Sequence, residues 1–118
     1  AWDLWAIHGW TTAEHAAAKH LQQAGTVSVV HGHTHRQQSV AKRLLEDDRI
    51  VKAWSPGCLS DLQPAWHHTS PTHWTRGFSL VYATDNCRRR SARSSWTEYN
   101  VTIDRGHCVL PGGTSVRA

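Results

Sequence analysis

Apolar residues come in short runs broken by polar turns, the pattern of a mixed α/β chain. The run Asp3-Leu4-Trp5-Ala6-Ile7-His8 ends at Gly9 and predicts a first strand. Thr11-Thr12-Ala13-Glu14 then matches a capping box, in which a threonine oxygen accepts from a free backbone N–H and the glutamate reaches back. Ala13, Ala17, Leu21 and Ala24 follow at helical spacing and make one small apolar face. Gly25 suits the left-handed position past a helix end, so a helix is expected over residues 12–24. The β-branched run Thr26-Val27-Ser28-Val29-Val30 ends at His31-Gly32 and predicts a second strand. Strand, helix, strand over about thirty residues is a β-α-β unit, with parallel strands and a right-handed crossover.

The remainder reads as mainly antiparallel β-structure. Ile50-Val51-Lys52-Ala53-Trp54 predicts a strand stopped by Ser55-Pro56-Gly57. Residues 59–76 hold two Pro, three His and two Trp without a period, which marks a long loop, and a loop that long in a small domain is usually functional or mobile. Phe78 to Ala83 and Trp96 to Ile103 predict two more strands, joined by a polar connection from Asp85 to Ser95. Asp104-Arg105-Gly106 reads as a turn, and His107-Cys108-Val109-Leu110 as the closing arm of a hairpin. The Gly-rich tail after Pro111 is expected to fray. No repeat or linker divides residues 1–118.

Composition narrows the class. With 39% hydrophobic residues and seven Trp, the chain can build a core and is too apolar for a disordered segment. No apolar run approaches the ~20 residues of a membrane span, and no N-terminal stretch has the order of a secretory signal. The net charge of +4 with neutral His suits phosphate-bearing partners, including nucleotides and nucleic acid. Cys58, Cys87 and Cys108 are odd in number and widely spaced, which argues against a disulfide framework and for a reducing, cytoplasmic setting. The chain has no Met, so it is read as a later part of a longer protein.

The ten histidines are the chemical signal. His31-Gly32-His33-Thr34-His35 follows the second expected strand, and His8 ends the first. Ligands of open α/β sheets bind beyond the carboxyl ends of strands. Neighbouring strands lie about 4.8 Å apart, a gap that side chains can bridge around a shared cation. Imidazole is the commonest transition-metal side-chain ligand. In an extended segment, residues i and i+2 project to one side, so His33 and His35 are expected to face one site. Gly32 leaves room for close approach of a metal or phosphate. His15, His20 and His107 are read as structural.

These residues resemble the later half of a calcineurin-like metallophosphoesterase. That family carries, in order, D-x-H, G-D-x-x-D, G-N-H-D/E, an isolated His and G-H-x-H; Ile7-His8-Gly9 and Gly32-His33-Thr34-His35 match the last two. Trp54-Ser55-Pro56-Gly57-Cys58-Leu59 and Trp74-Thr75-Arg76-Gly77-Phe78 also look like phage and bacterial members. The resemblance spans roughly residues 4–110. It implies the C-terminal half of a four-layer α/β sandwich, with residues 1–118 as the C-terminal portion of one domain. It implies hydrolysis of a phosphoester by water activated between two divalent cations, Mn, Fe or Zn. His8 and His33 would bind one cation and His35 the other. His31, Gly32 and Thr34 would orient these ligands or face the substrate. The first three motifs are absent from this sequence, so the missing ligands are expected in a preceding half of the domain, and the piece alone is expected to be inactive.

Other readings stay beside this one. A small His-rich module could bind metal or nucleic acid without catalysis, and a mononuclear zinc enzyme could use the 31, 33, 35 trio. Cys58 is read as a small buried thiol, and Arg88-Arg89-Arg90 with Arg93 as a charged connection. His67, His68 and His73 are read as part of a solvated loop, and Trp54, Trp74 and Trp96 as core or core-edge residues.

Overall fold

The computed structural model describes residues 3–67, 70–84 and 96–118. Among them the order is β1 (Leu4–Ile7), α1 (Ala16–Ala24), β2 (Ser28–His31), β3 (Gln37–Arg43), β4 (Ile50–Pro56), β5 (Gly77–Ala83), β6 (Trp96–Thr102), β7 (His107–Val109) and β8 (Ser115–Arg117). The fold is mixed α/β, mostly strands with one helix, and its sheets are open. The polar connection expected over 85–95, with its four arginines and Cys87, lies outside the described residues, as does His68.

The main sheet runs β1-β2-β4-β3. β1 pairs with β2 in parallel, Leu4 opposite Ser28 and Ile7 opposite His31, as a β-α-β unit requires. β2 pairs in parallel with β4, and β3 returns antiparallel to β4 through a tight turn. In that turn Asp48 takes a φ of 59° and Asp47 accepts from the backbone and guanidinium of Arg49.

Alternation along β4 sorts its side chains onto two faces. Val51 and Ala53 meet Ala17, Leu21 and Val29 in the core under α1. Trp54 and Lys52 point the other way, onto the β5–β6 hairpin. Trp54 is fully buried, its indole N–H donates to Ser79 and its ring lies 5.6 Å from that of Trp96. Lys52 pairs with Glu98 at 2.9 Å. Helix, main sheet and hairpin therefore stack as three layers.

Four expectations need correction. The helix starts at Ala16 rather than 12, because the capping box does not form: Thr11 Oγ1 accepts from the backbone of Ala13 instead. Polar side chains from around β3 satisfy the helix entrance. Gln38 accepts from the Ala17 N–H and donates to the Glu14 carbonyl, while Arg36 donates to the carbonyls of Thr12 and Ala13. β3 itself is not among the expected strands, since its residues are mostly polar and exposed. The tail after Pro111 does not fray. Gly112 and Gly113, both with φ above 90°, reverse the chain so that β8 pairs with β7. The hairpin expected from His107–Leu110 therefore does not close on β6: β7 pairs with β8 instead, and Asp104 and His107 bridge across the turn that follows β6.

Gln37 is the knot between the layers. Its backbone N–H donates to Thr75 Oγ1, its side-chain amide donates to the Val101 carbonyl, and its side-chain oxygen accepts from Thr102. Gly77 lies against it. A Cβ there would collide with the Gln37 amide and stand 2.6 Å from the Val101 oxygen and 2.7 Å from the Pro56 oxygen. Gly77→Ala is expected to destabilise the chain by more than about 2 kcal/mol, the range of overpacking combined with a broken hydrogen-bond network. A urea midpoint equal to that of the parent chain would contradict this.

Candidate functional site

The register of β1 on β2 sets the site. Past Ile7 and His31 both strands end, and the Gly32 N–H donates to the carbonyls of Ile7 and His8. The two strand exits are thereby tied together. A Cβ on Gly32 would sit 3.3 Å from the His8 oxygen, so the backbones approach at a distance that leaves little room for a side chain. Gly9, at φ 97°, turns the chain away over His20 and His33.

This geometry brings His8 and His33 together. His8 Nε2 lies 3.0 Å from His33 Nδ1, and the ring centroids are 4.8 Å apart. With neutral rings this is a hydrogen bond, one imidazole donating and the other accepting. The spacing also fits two ligands of one cation, since nitrogens bound at about 2.1 Å stand about 3.0 Å apart at a right angle and about 3.4 Å apart at the tetrahedral angle. Both rings are exposed.

His35 is placed differently. Residues 32–36 are not extended: His33 has φ 68° and His35 φ 54°. The expectation that i and i+2 project to one side rests on extended backbone and does not apply here. The His35 ring packs edge-on against Trp74 at 4.2 Å, and its Nδ1 is buried without a hydrogen-bond partner. Among the described residues, no three His, Cys, Asp or Glu side chains converge closely enough to hold a metal ion. The pair His8–His33 fits part of a cation's ligand shell; the shell of a two-cation centre is not contained in these residues.

The left-handed conformation at two non-glycine residues in a three-residue span is strained, a cost of order 1–3 kcal/mol each that surrounding contacts must offset. Thr34 supplies some of them. It is buried, its N–H donates to the Gly32 carbonyl, and its hydroxyl lies 3.3 Å from both the Arg36 carbonyl and the Ser55 hydroxyl of β4.

Beneath the pair lies an imidazole that sequence reasoning set aside. His20 is fully buried, both its ring nitrogens lack partners, and its ring stacks on Trp10 and lies 4.2 Å from that of His31. The sequence does carry the signal: His20 stands four residues from both Ala16 and Ala24, on the apolar stripe of α1. His31 is also buried. Its Nδ1 donates to the Gly32 carbonyl, which leaves Nε2 as an unpartnered lone pair. Burial holds both imidazoles below the ordinary histidine pKa; for His20 the neighbouring His31 acts in the same direction, and for His31 the Gly32 hydrogen bond opposes it.

Because the folded chain resists protonating His20 and the unfolded chain does not, acid favours unfolding. The contribution of this group is complete above about pH 6.5 and is lost progressively as pH falls from there through the lowered folded value. His20→Phe, which keeps a flat ring on the stripe, is expected to flatten the decline of the urea midpoint between pH 7 and pH 5. An unaltered slope in that variant would assign the acid sensitivity to other groups.

Among the described residues no helix is long and apolar enough to cross a membrane. No protein family, curated protein or solved structure matches the chain.

Proposed function

We propose that the chain carries the histidine side of a calcineurin-like metallophosphoesterase, the C-terminal half of a four-layer α/β sandwich that hydrolyses a phosphoester with two divalent cations, Mn, Fe or Zn. One observation carries this reading: His8 and His33, far apart in sequence, leave adjacent parallel strands and present nitrogens 3.0 Å apart. The helix–sheet–sheet layering supports it as three of the four layers. Strain at His33 and His35 supports it too, since such backbone persists where function holds it.

In this reading His8 and His33 hold one cation and His35 contributes to the second. Cations held there would supply Lewis acidity to a phosphoryl oxygen and would lower the pKa of a bound water. The chain's own task is positional. Gly32 lets the two strand exits close on each other, Thr34 fastens the turn to β4, and the buried His31 ring supports the turn from below through the Gly32 carbonyl. We assign the remaining carboxylate ligands to chain outside these 118 residues.

The full-length natural protein is expected to hydrolyse bis(p-nitrophenyl) phosphate only with added Mn²⁺. His8→Ala and His33→Ala should each lower turnover by more than about 100-fold, beyond the 10–100-fold that partners outside the ligand shell command. Metal-independent turnover, or full activity in His33→Ala, would overturn the reading. A second reading rests on the absence of a third converging donor among the described residues: a His-rich module that binds metal without catalysis. Joint shifts of the His8 and His33 imidazole resonances on adding Zn²⁺, with no turnover by the full-length protein, would select it.

A further inference from the structure

The loop between β4 and β5 is exposed along much of its length and is also pinned at several points. Thr75 donates its N–H to the His35 carbonyl at 2.9 Å, which fixes the loop's return to the histidine turn. The Gln63 side chain clasps the loop's middle, donating to the carbonyls of His67 and Ser70 and accepting from the Thr72 N–H. Thr72 also donates its hydroxyl to the Leu62 carbonyl, and the His67 N–H bonds to the Pro64 carbonyl.

This frame holds a line of rings that leads outward from the motif. Trp74 packs on His35 at 4.2 Å. Trp66 and His67 each lie 5.9 Å from Trp74, tilted by 49° and 66°. At the outer end Trp66 is 67% exposed. A large indole that is backed by other rings on an anchored loop yet open to water is a surface offered to something flat. Tryptophan stacks well on planar π-systems, and every nucleobase has such a face. The two ring-to-ring steps, 5.9 and 4.2 Å, join Trp66 to His35, so a nucleotide stacked on Trp66 would direct its phosphate toward the histidine turn of residues 32–36. The chain's net charge of +4 suits that anionic ligand.

We propose that Trp66, backed by Trp74 and His67, is a stacking platform for the base of a nucleotide whose phosphate is received at the histidine turn that carries His35. The proposal rests on the phosphoesterase reading and narrows its substrate class to nucleoside phosphoesters.

Calorimetric titration of the full-length protein with adenosine 5′-monophosphate, ribose 5-phosphate and adenosine tests it. The nucleotide is expected to bind about tenfold more tightly than ribose 5-phosphate, the range of one base–aromatic stack. Trp66→Ala should abolish that preference and leave ribose 5-phosphate binding unchanged, while Trp66→Phe should keep part of it. The exposure of Trp66 makes these variants compatible with folding, which circular dichroism checks. Equal binding of the nucleotide and ribose 5-phosphate by the natural protein, or an intact preference in Trp66→Ala, overturns the platform. Adenosine binding that needs Trp66, in a protein that hydrolyses no phosphoester, upholds the platform and overturns the phosphoesterase reading instead.

Discussion

The parallel pairing of β1 with β2 is the constraint on which the site depends. Were the register shifted by one residue, every side chain of β1 would change faces and His8 would leave the neighbourhood of His33. The register is held by backbone bonds along four residue pairs, then continued past the strand ends by Gly32, whose N–H reaches two carbonyls of the first strand exit. The lack of a Cβ at Gly9 and Gly32 allows this closure, since added Cβ atoms would press on the opposite chain. The meeting of two exposed imidazoles is thus a property of the backbone.

A second theme is the use of polar side chains as structural fasteners. Gln38 and Arg36 complete the entrance of α1, Gln37 joins β3 to the hairpin layer, and Asn100 reaches the carbonyls of Gln38 and Ser55. Among the described residues the apolar cluster under α1 is small, five buried residues around Val29 and Ala53, so directional bonds carry much of the specificity between layers. Such bonds are individually modest, near 1 kcal/mol, but expensive to leave half-made. The same histidine turn that bears the candidate ligands is fastened by them.

Much of this was legible in the sequence, and the failures have identifiable causes. The β-α-β unit, the strands around residues 50–54, 78–83 and 96–102 and the long loop were readable because apolar alternation and Gly or Pro stops agree with the tertiary structure. β3 was hidden because its partner contacts run through glutamine amides rather than apolar side chains. The helix start was misplaced because capping groups supplied by distant residues leave no local trace. The convergence of His8 with His33 was legible from strand ends, whereas the orientation of His35 was not, because left-handed backbone at a non-glycine residue has no reliable sequence signature. His20 stood on the apolar stripe in plain view, yet a polar residue type masked its burial.

β1 borders the main sheet, paired on one side with β2 and, among the described residues, with nothing on the other. It also exposes Trp5. Its outer row of amide and carbonyl groups is an open template of the kind that recruits further strands. Protein concentration is therefore a working variable for any solution study of this chain: dilute samples isolate the monomer, and concentrated ones invite strand addition along that border.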